Sequence, residues 1–202
     1  MAINEIQHFF DHQALGWDYS FDEQKLKRLR WIFKHRIGAL KGLVLDLGCG
    51  TGVLLKVLPQ VLSDRSSLIL EMDLSMAMLH QAQEKRFGLL NKVYFVQADG
   101  HRLPLAEKSM NSVVAFQVLP HFIDPLHVFQ EVYRTLKKDG RFVILHLMDH
   151  HKLNALHRSA GGAVEDHYLP PVEEVAAMLA SENFAIDGFL EKEDCYLIIG
   201  RK

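Results

Sequence analysis

The sequence predicts an α/β fold, a doubly wound, mostly parallel seven-stranded sheet with an antiparallel C-terminal strand and an N-terminal helical cover. Three observations carry this expectation. Short apolar runs at 43–47, 68–72, 93–96, 112–118 and 141–148 alternate with helical stretches near 53–62, 75–87, 124–138 and 172–182, the pattern of a parallel sheet clothed on both faces. Two last strands, roughly 184–190 and 195–200, flank the charged turn Glu191-Lys192-Glu193-Asp194, short enough for a hairpin and hence for antiparallel pairing. Residues 1–42 carry no strand signal at all.

In that N-terminal stretch Leu26, Leu29, Phe33, Ile37 and Leu40 recur every three or four residues, which places them on one stripe of an amphipathic helix. The opposite face, with Lys25, Lys27, Arg28, Arg30, Lys34 and Arg36, reads as solvated surface. The 202 residues suit a single domain, divided into a helical cover (1–42), a cofactor-binding core (43–148), an irregular substrate-side loop (149–170) and a C-terminal helix with strands (171–202).

Composition narrows the function. A net charge of −2 gives no field that gathers polyanions, so nucleic acid is not the expected partner. No apolar run is long enough for a membrane span, and the opening residues lack the pattern of a secretory signal, so a cytoplasmic location is expected. Cys49 and Cys195 follow no metal or disulfide spacing and read as free thiols.

The strongest motif is Val44-Leu45-Asp46-Leu47-Gly48-Cys49-Gly50-Thr51-Gly52, an apolar strand running into a Gly-x-Gly-x-Gly turn and then a helix. Such glycines let the chain bend sharply and let a ligand reach main-chain N–H groups. Asp73 closes the second strand, where a doubly wound sheet offers a carboxylate to ribose hydroxyls. Asp99 ends the third strand, where a carboxylate can accept from an adenine amino group. A dinucleotide fingerprint would need a glycine at Val53, and Asp46 would sit badly beside a pyrophosphate but well beside an ammonium or sulfonium. These residues point to a nucleoside cofactor without phosphate.

With these motifs the chain resembles the class I S-adenosylmethionine-dependent methyltransferases, from about Phe9 to the C-terminus. VLDLGCGTG is similar to the family's first motif, EMDLS to its acidic second-strand end, QADGHRLPLAEKSMNSVVAFQVLPHFIDP to its adenine segment and fourth strand, and LKKDGRFVI to its turn into the fifth strand. The opening HFFDHQALGWD is similar to small-molecule methyltransferases of the ubiquinone and menaquinone type, in which this part helps cover the substrate. The resemblance implies a Rossmann-like methyltransferase fold, S-adenosyl-L-methionine as cofactor and a small-molecule methyl acceptor as partner, with a homodimer left open. It implies that Gly48, Gly50 and Gly52, with Cys49 between them, line the methionine part, with Asp46 near its amino group. Leu74 would pack on adenine, Asp99 and the backbone of Gly100 would take the adenine edge, and Gln117 would lend its carbonyl to the ammonium. Glu71, where many relatives have glycine, and Lys138-Asp139-Gly140 depart from the family pattern and are expected to stand clear of the cofactor. FQVLPHF at the fourth strand's end lacks the Asn-Pro-Pro-Tyr-like device for amide or exocyclic base nitrogens.

An oxygen or carbon acid would need a base poised near neutral pH, and histidine supplies one. Five of the 12 histidines fall in 146–167. If 149–158 is helical, His150, Asn154 and His157 share a face, with His146 at the sheet edge nearby. His121, after the fourth strand, lies near where the methyl group should point. The candidate catalytic residues are therefore His121, His146, His150 and His157, with Phe9, Phe10, Trp17 and Tyr19 as an apolar lid. A substrate role for the histidines is preferred to a transition metal, and no metal ligand is assigned. A nicotinamide-dependent oxidoreductase and a non-catalytic S-adenosylmethionine-binding module remain as alternatives.

Overall fold

In a computed structural model, which describes residues 3–64, 66–86 and 92–202, the strands are β1 (Leu43–Leu47), β2 (Leu68–Asp73), β3 (Val93–Gln97), β4 (Met110–Phe116), β5 (Leu136–His146), β6 (Ala185–Lys192) and β7 (Cys195–Arg201). They form one sheet in the order β3-β2-β1-β4-β5-β7-β6. The first five strands pair in parallel, β7 runs antiparallel to β5, and β6 runs antiparallel to β7.

Seven α-helices accompany the sheet among the described residues: α1 (Ile3–Gln13), α2 (Glu23–Ile32), α3 (Leu58–Val61), α4 (Met76–Glu84), α5 (Pro125–Thr135), α6 (His150–Ala160) and α7 (Val172–Ser181). Four begin where a short polar side chain takes up a backbone N–H of the first turn. Asp22 accepts from Lys25, Ser75 from Met78, Asp124 from His127 and Asp149 from Lys152.

Because successive strand residues point to opposite faces, the alternating apolar positions build two cores. Leu45, Val113, Ala115, Phe142 and Ile144 pack with Val128, Phe129 and Val132 of α5 and with Val175 and Leu179 of α7. Val44, Val114, Phe116, Val143 and Leu145 pack on the other face with Leu26, Leu29 and Ile32 of α2. Burying each such side chain contributes about 1.5–3 kcal/mol relative to exposure.

The expected elements are present, with five corrections. The helix expected over 53–62 is broken into a 3-10 turn at Val53–Lys56 and the short α3, because Pro59 has no N–H to carry a helix through. The helix expected over 124–138 ends at Thr135, since Leu136 already pairs with Met110 as the start of β5. The strand expected over 112–118 stops at Phe116, and Gln117 turns away in the left-handed region at φ 55°. The strand expected over 141–148 starts earlier and ends at His146, with Asp139 and Gly140 absorbed as an irregularity in its pairing with β4. Residues 149–170 are not an irregular loop: Asp149 caps α6, and only the segment from Gly161 onward is irregular apart from a 3-10 turn at Gly162–Val164. The N-terminal stripe is buried, with α2 continuing into a π turn at Phe33–Ile37. Residue 87, at the end of the helix expected over 75–87, lies outside the described residues, as does the side chain of Tyr19.

Candidate active site

A cavity of about 710 Å³ opens at the carboxyl edge of the sheet, where β1 and β4 lie side by side and the strand order reverses. Doubly wound sheets bind ligands at this switch point, and the volume suits a cofactor together with a small substrate.

The glycine turn forms its floor. Gly48 and Cys49 donate their N–H groups to the Met72 carbonyl at 2.8 and 3.0 Å, which ties the turn to the end of β2. At Gly48, φ is 71° and a Cβ would meet Val118 Cγ2 at 2.3 Å, so only glycine fits. Gly50, at φ 54°, has a different reason: a Cβ there would find nothing nearer than Trp17 Nε1 at 3.9 Å, so the missing side chain leaves room in the cavity. Asp73 lies beside it, accepting from Gly50 N at 2.7 Å and from Ser75 N at 2.8 Å. Burial raises the Asp73 carboxyl above its ordinary range, and these backbone donors oppose the rise.

Asp46 and Glu71 are register partners across β1 and β2, both buried, and none of their carboxyl oxygens has a hydrogen-bond donor among the described residues. Burial pushes both well above the usual carboxylate range, with the charge of Asp73 adding to the effect on Asp46 and that of Asp46 to the effect on Glu71. Burial of two carboxyls so close together favours their protonated, uncharged forms. Glu71, expected to stand clear of the cofactor residues, thus sits against Asp46 beneath the turn. Burial, then the nearby Glu71, Asp73 and Asp46 carboxylates, push the Cys49 thiol well up, so it stays protonated.

At the end of β3, Asp99 Oδ1 accepts from His101 N at 2.9 Å and from His101 Nδ1 at 2.6 Å. The N–H of Asp124 donates to His101 Nε2 at 3.1 Å, so both ring nitrogens are engaged and the ring is held as the Nδ1–H tautomer. Arg134 braces this loop from α5, donating to the carbonyls of Leu103 and Leu105 while pairing with Glu131.

Two carboxylates fasten the cover. Asp11 of α1 accepts from Ser75 Oγ at 2.5 Å and from Ala77 N at 3.3 Å, at the start of α4. Asp18 accepts from Thr51 Oγ1 at 2.6 Å and pairs with Lys85. Burial would raise Asp18, but the hydrogen bonds from Lys85 and Thr51 and the charges of Lys85 and Lys56 hold it below its ordinary value.

Of the residues assigned from sequence, Gly48, Cys49, Gly50, Asp73, Leu74, Asp99, Gly100, Gln117, His121 and His157 line the cavity. Asp46, Gly52, His146 and His150 do not. Gly52 packs against Ala82 of α4. His146 is buried with its ring edge-on to Tyr196 and neither nitrogen hydrogen-bonded among the described residues. Burial, with the charge of His157, lowers it to about 3, so it is neutral. His150 donates from Nδ1 to Glu191 at 2.6 Å, which ties α6 to β6. Asp11, Asp18 and His101 went unnoticed in the sequence. Only His101 had a local signal, the Asp-x-His spacing in which the acid accepts from the N–H two residues on. Among the described residues, no group of three or more His, Cys, Asp or Glu is disposed to hold a metal ion.

Comparison with known proteins agrees with this geometry. A family model described as a methyltransferase domain matches residues 45–144. Malonyl-[acyl-carrier protein] O-methyltransferase of Marinomonas sp. (strain MWYL1) is 35% identical over 134 residues, 66% of this chain and 48% of that protein. The ubiquinone/menaquinone biosynthesis C-methyltransferase UbiE of Coxiella burnetii (strain Dugway 5J108-111) is 26% identical over 148 residues, 70% of this chain and 59% of that protein. The chain therefore spans about half the length of the curated relatives it matches. The crystal structure of a SAM dependent methyltransferase from Aquifex aeolicus superposes with a TM-score of 0.66 at 20% identity, covering 100% of this chain and 98% of that one. Strand order, glycine turn, acid-tipped strands and relatives converge: the chain belongs to the class I S-adenosylmethionine-dependent methyltransferases.

Proposed function

We propose that this chain transfers the methyl group of S-adenosylmethionine to a small, apolar organic acceptor. One observation carries the reading: a single cavity runs from the glycine turn and Asp73 to an apolar end walled by α1 and α6, where Ile6, Phe10, Leu153, Leu156 and Val164 line it. The room left over Gly50 and the acids at the ends of β2 and β3 fit the cofactor. Asp73 would hold its ribose hydroxyls, Leu74 its adenine face, Asp99 and Gly100 the adenine edge, and Gly48, Cys49, Gly50 and Gln117 its amino-acid part. Asp46 would act from beneath the turn, and Gly52 through the packing of α4.

The bound cofactor supplies an electrophilic methyl group on a sulfonium, and the protein supplies alignment. Phe10 and Trp17, in edge-on contact at 5.5 Å between ring centroids, hold the cover together and shield the cavity from water. His121 and His157 stand on the acceptor side, whereas His146 and His150 support α6 and the end of β5. Among the described lining residues Lys25 is the one lysine and arginine is absent, which favours an uncharged acceptor over nucleic acid. The two cysteines are free thiols, in keeping with a cytoplasmic setting.

The test is incubation with methyl-labelled S-adenosylmethionine and a panel of apolar phenols, thiols and carboxylic acids. Labelled product formed one-for-one with S-adenosylhomocysteine is expected. Failure of calorimetry to detect S-adenosylhomocysteine binding at all would overturn the assignment.

A further inference from the structure

We propose that His121 and His167 form a proton-accepting dyad at the apolar end of the cavity, and that the acceptor it serves carries an ionisable hydroxyl group, a phenol or an enol. The inference rests on the methyltransferase reading and deepens it. The two Nδ1 atoms lie 2.6 Å apart. Between two neutral imidazoles a contact of that length requires one N–H and one lone pair, so a single proton lies between the rings. His121 Nε2 has no hydrogen-bond partner among the described residues, and the residue lines the cavity.

The surroundings fix both rings. His157 of α6 donates from Nδ1 to the His167 carbonyl at 2.7 Å, which orients the backbone carrying His167. Phe10 of α1 stands edge-on to His121 at 5.0 Å, and the rings of His157 and His167 lie 5.4 and 4.8 Å from it. Burial, followed by the charges of His167, His157 and His146, keeps His121 well below the ordinary histidine range, so it arrives unprotonated. An apolar alcohol-type acceptor brings one proton that must leave as its oxygen becomes bonded to carbon. The acceptor O–H bond breaks with its electron pair left on oxygen, and the proton forms an N–H bond at His121 Nε2. The positive charge created there is shared across the Nδ1 contact with His167, which offsets the cost of charging a buried ring. A thiol or a pre-ionised acceptor needs no such help.

The experiment has a structural and a functional arm. In the protein without cofactor, nitrogen NMR should show a through-hydrogen-bond coupling between the Nδ1 atoms of His121 and His167, lost in His167→Phe. With labelled cofactor, His167→Phe should lower kcat for weakly acidic phenols about ten- to a hundredfold while leaving S-adenosylhomocysteine affinity unchanged, with the loss shrinking as the phenol becomes more acidic. His167→Asn, which keeps a hydrogen-bonding group near the Nδ1 position, should recover part of the activity and guards against a folding defect. Absence of the coupling, or an equal loss across phenols of every acidity, overturns the dyad. Cofactor binding with dyad-independent turnover sinks this inference alone, whereas failure to bind the cofactor sinks the reading beneath it.

Discussion

Asp73 does two things with one carboxylate: it gathers the N–H groups of Gly50 and Ser75, and in the assigned role it also holds the ribose. Asp73→Ala should weaken S-adenosylhomocysteine binding by about 2–3 kcal/mol, or roughly thirty- to a hundredfold, by calorimetry. An unchanged affinity would move the ribose elsewhere. His146 leads to the opposite kind of expectation. It is buried beside Tyr196, both ring nitrogens lack hydrogen-bond partners among the described residues, and it does not line the cavity. His146→Leu should therefore leave cofactor affinity unaltered and leave stability in urea unchanged or higher by about 1 kcal/mol, since an unsatisfied polar group gives way to an apolar one of similar size. A fall in stability of more than about 2 kcal/mol would show that its nitrogens are in fact satisfied by bound water. The placing of Asp73, Gly48 and Gly50 at the cavity was legible in the sequence because it is local, a fixed spacing from a strand end. Asp18 was not, because its partners Thr51 and Lys85 lie on other elements that only folding brings together.

The β1–β2 pair brings together two buried carboxyls that no single-residue motif announces. Asp46 and Glu71 face each other in register, and both are raised by burial. In the unfolded chain the same carboxyls lose their protons above pH about 4. Between there and the raised folded values the native state binds more protons than the unfolded state, so stability declines as pH climbs from about 4 toward neutrality. Glu71→Gln removes one titrating group and offers Asp46 an amide N–H. It should flatten the fall of Tm as pH rises from about 4 toward neutrality, and a slope as steep as the parent's would place the titration elsewhere. Strand register of this kind is invisible in one sequence until the pairing is known, although Glu71 in an otherwise apolar LILEMD strand marked the place. The helix α6 was raised only as a condition over 149–158, for another reason. Its sequence HHKLNALHRSA has a weak apolar stripe, and its buried face instead uses Asn154 and His157, which bond the backbone of Leu169 and His167.

Across the whole molecule, the regular alternation of strand and helix was enough to foresee a mixed sheet, because parallel neighbours need covered crossovers and a hairpin needs an antiparallel edge. The N-terminal segment was expected to cover the site, but the contacts that fasten it were not foreseeable, since α1 is tied to α4 by Asp11 and the following turn to Thr51 and Lys85 by Asp18, contacts between segments far apart in the chain. Those ties make the cavity a joint property of the cover and the sheet, so a ligand inside it stabilises both against unfolding. S-adenosylhomocysteine at a hundred times its Kd should add about 2.7 kcal/mol to the folded state by mass action. For a chain of this size each kcal/mol raises Tm by about 2–4 °C, so a shift of about 5–10 °C is expected in a thermal melt. NADH, whose pyrophosphate would have to lie near Asp46 and Asp73 at a turn lacking the third dinucleotide glycine, should leave Tm where it was. A shift with NADH and none with S-adenosylhomocysteine would reverse the cofactor assignment for the whole fold.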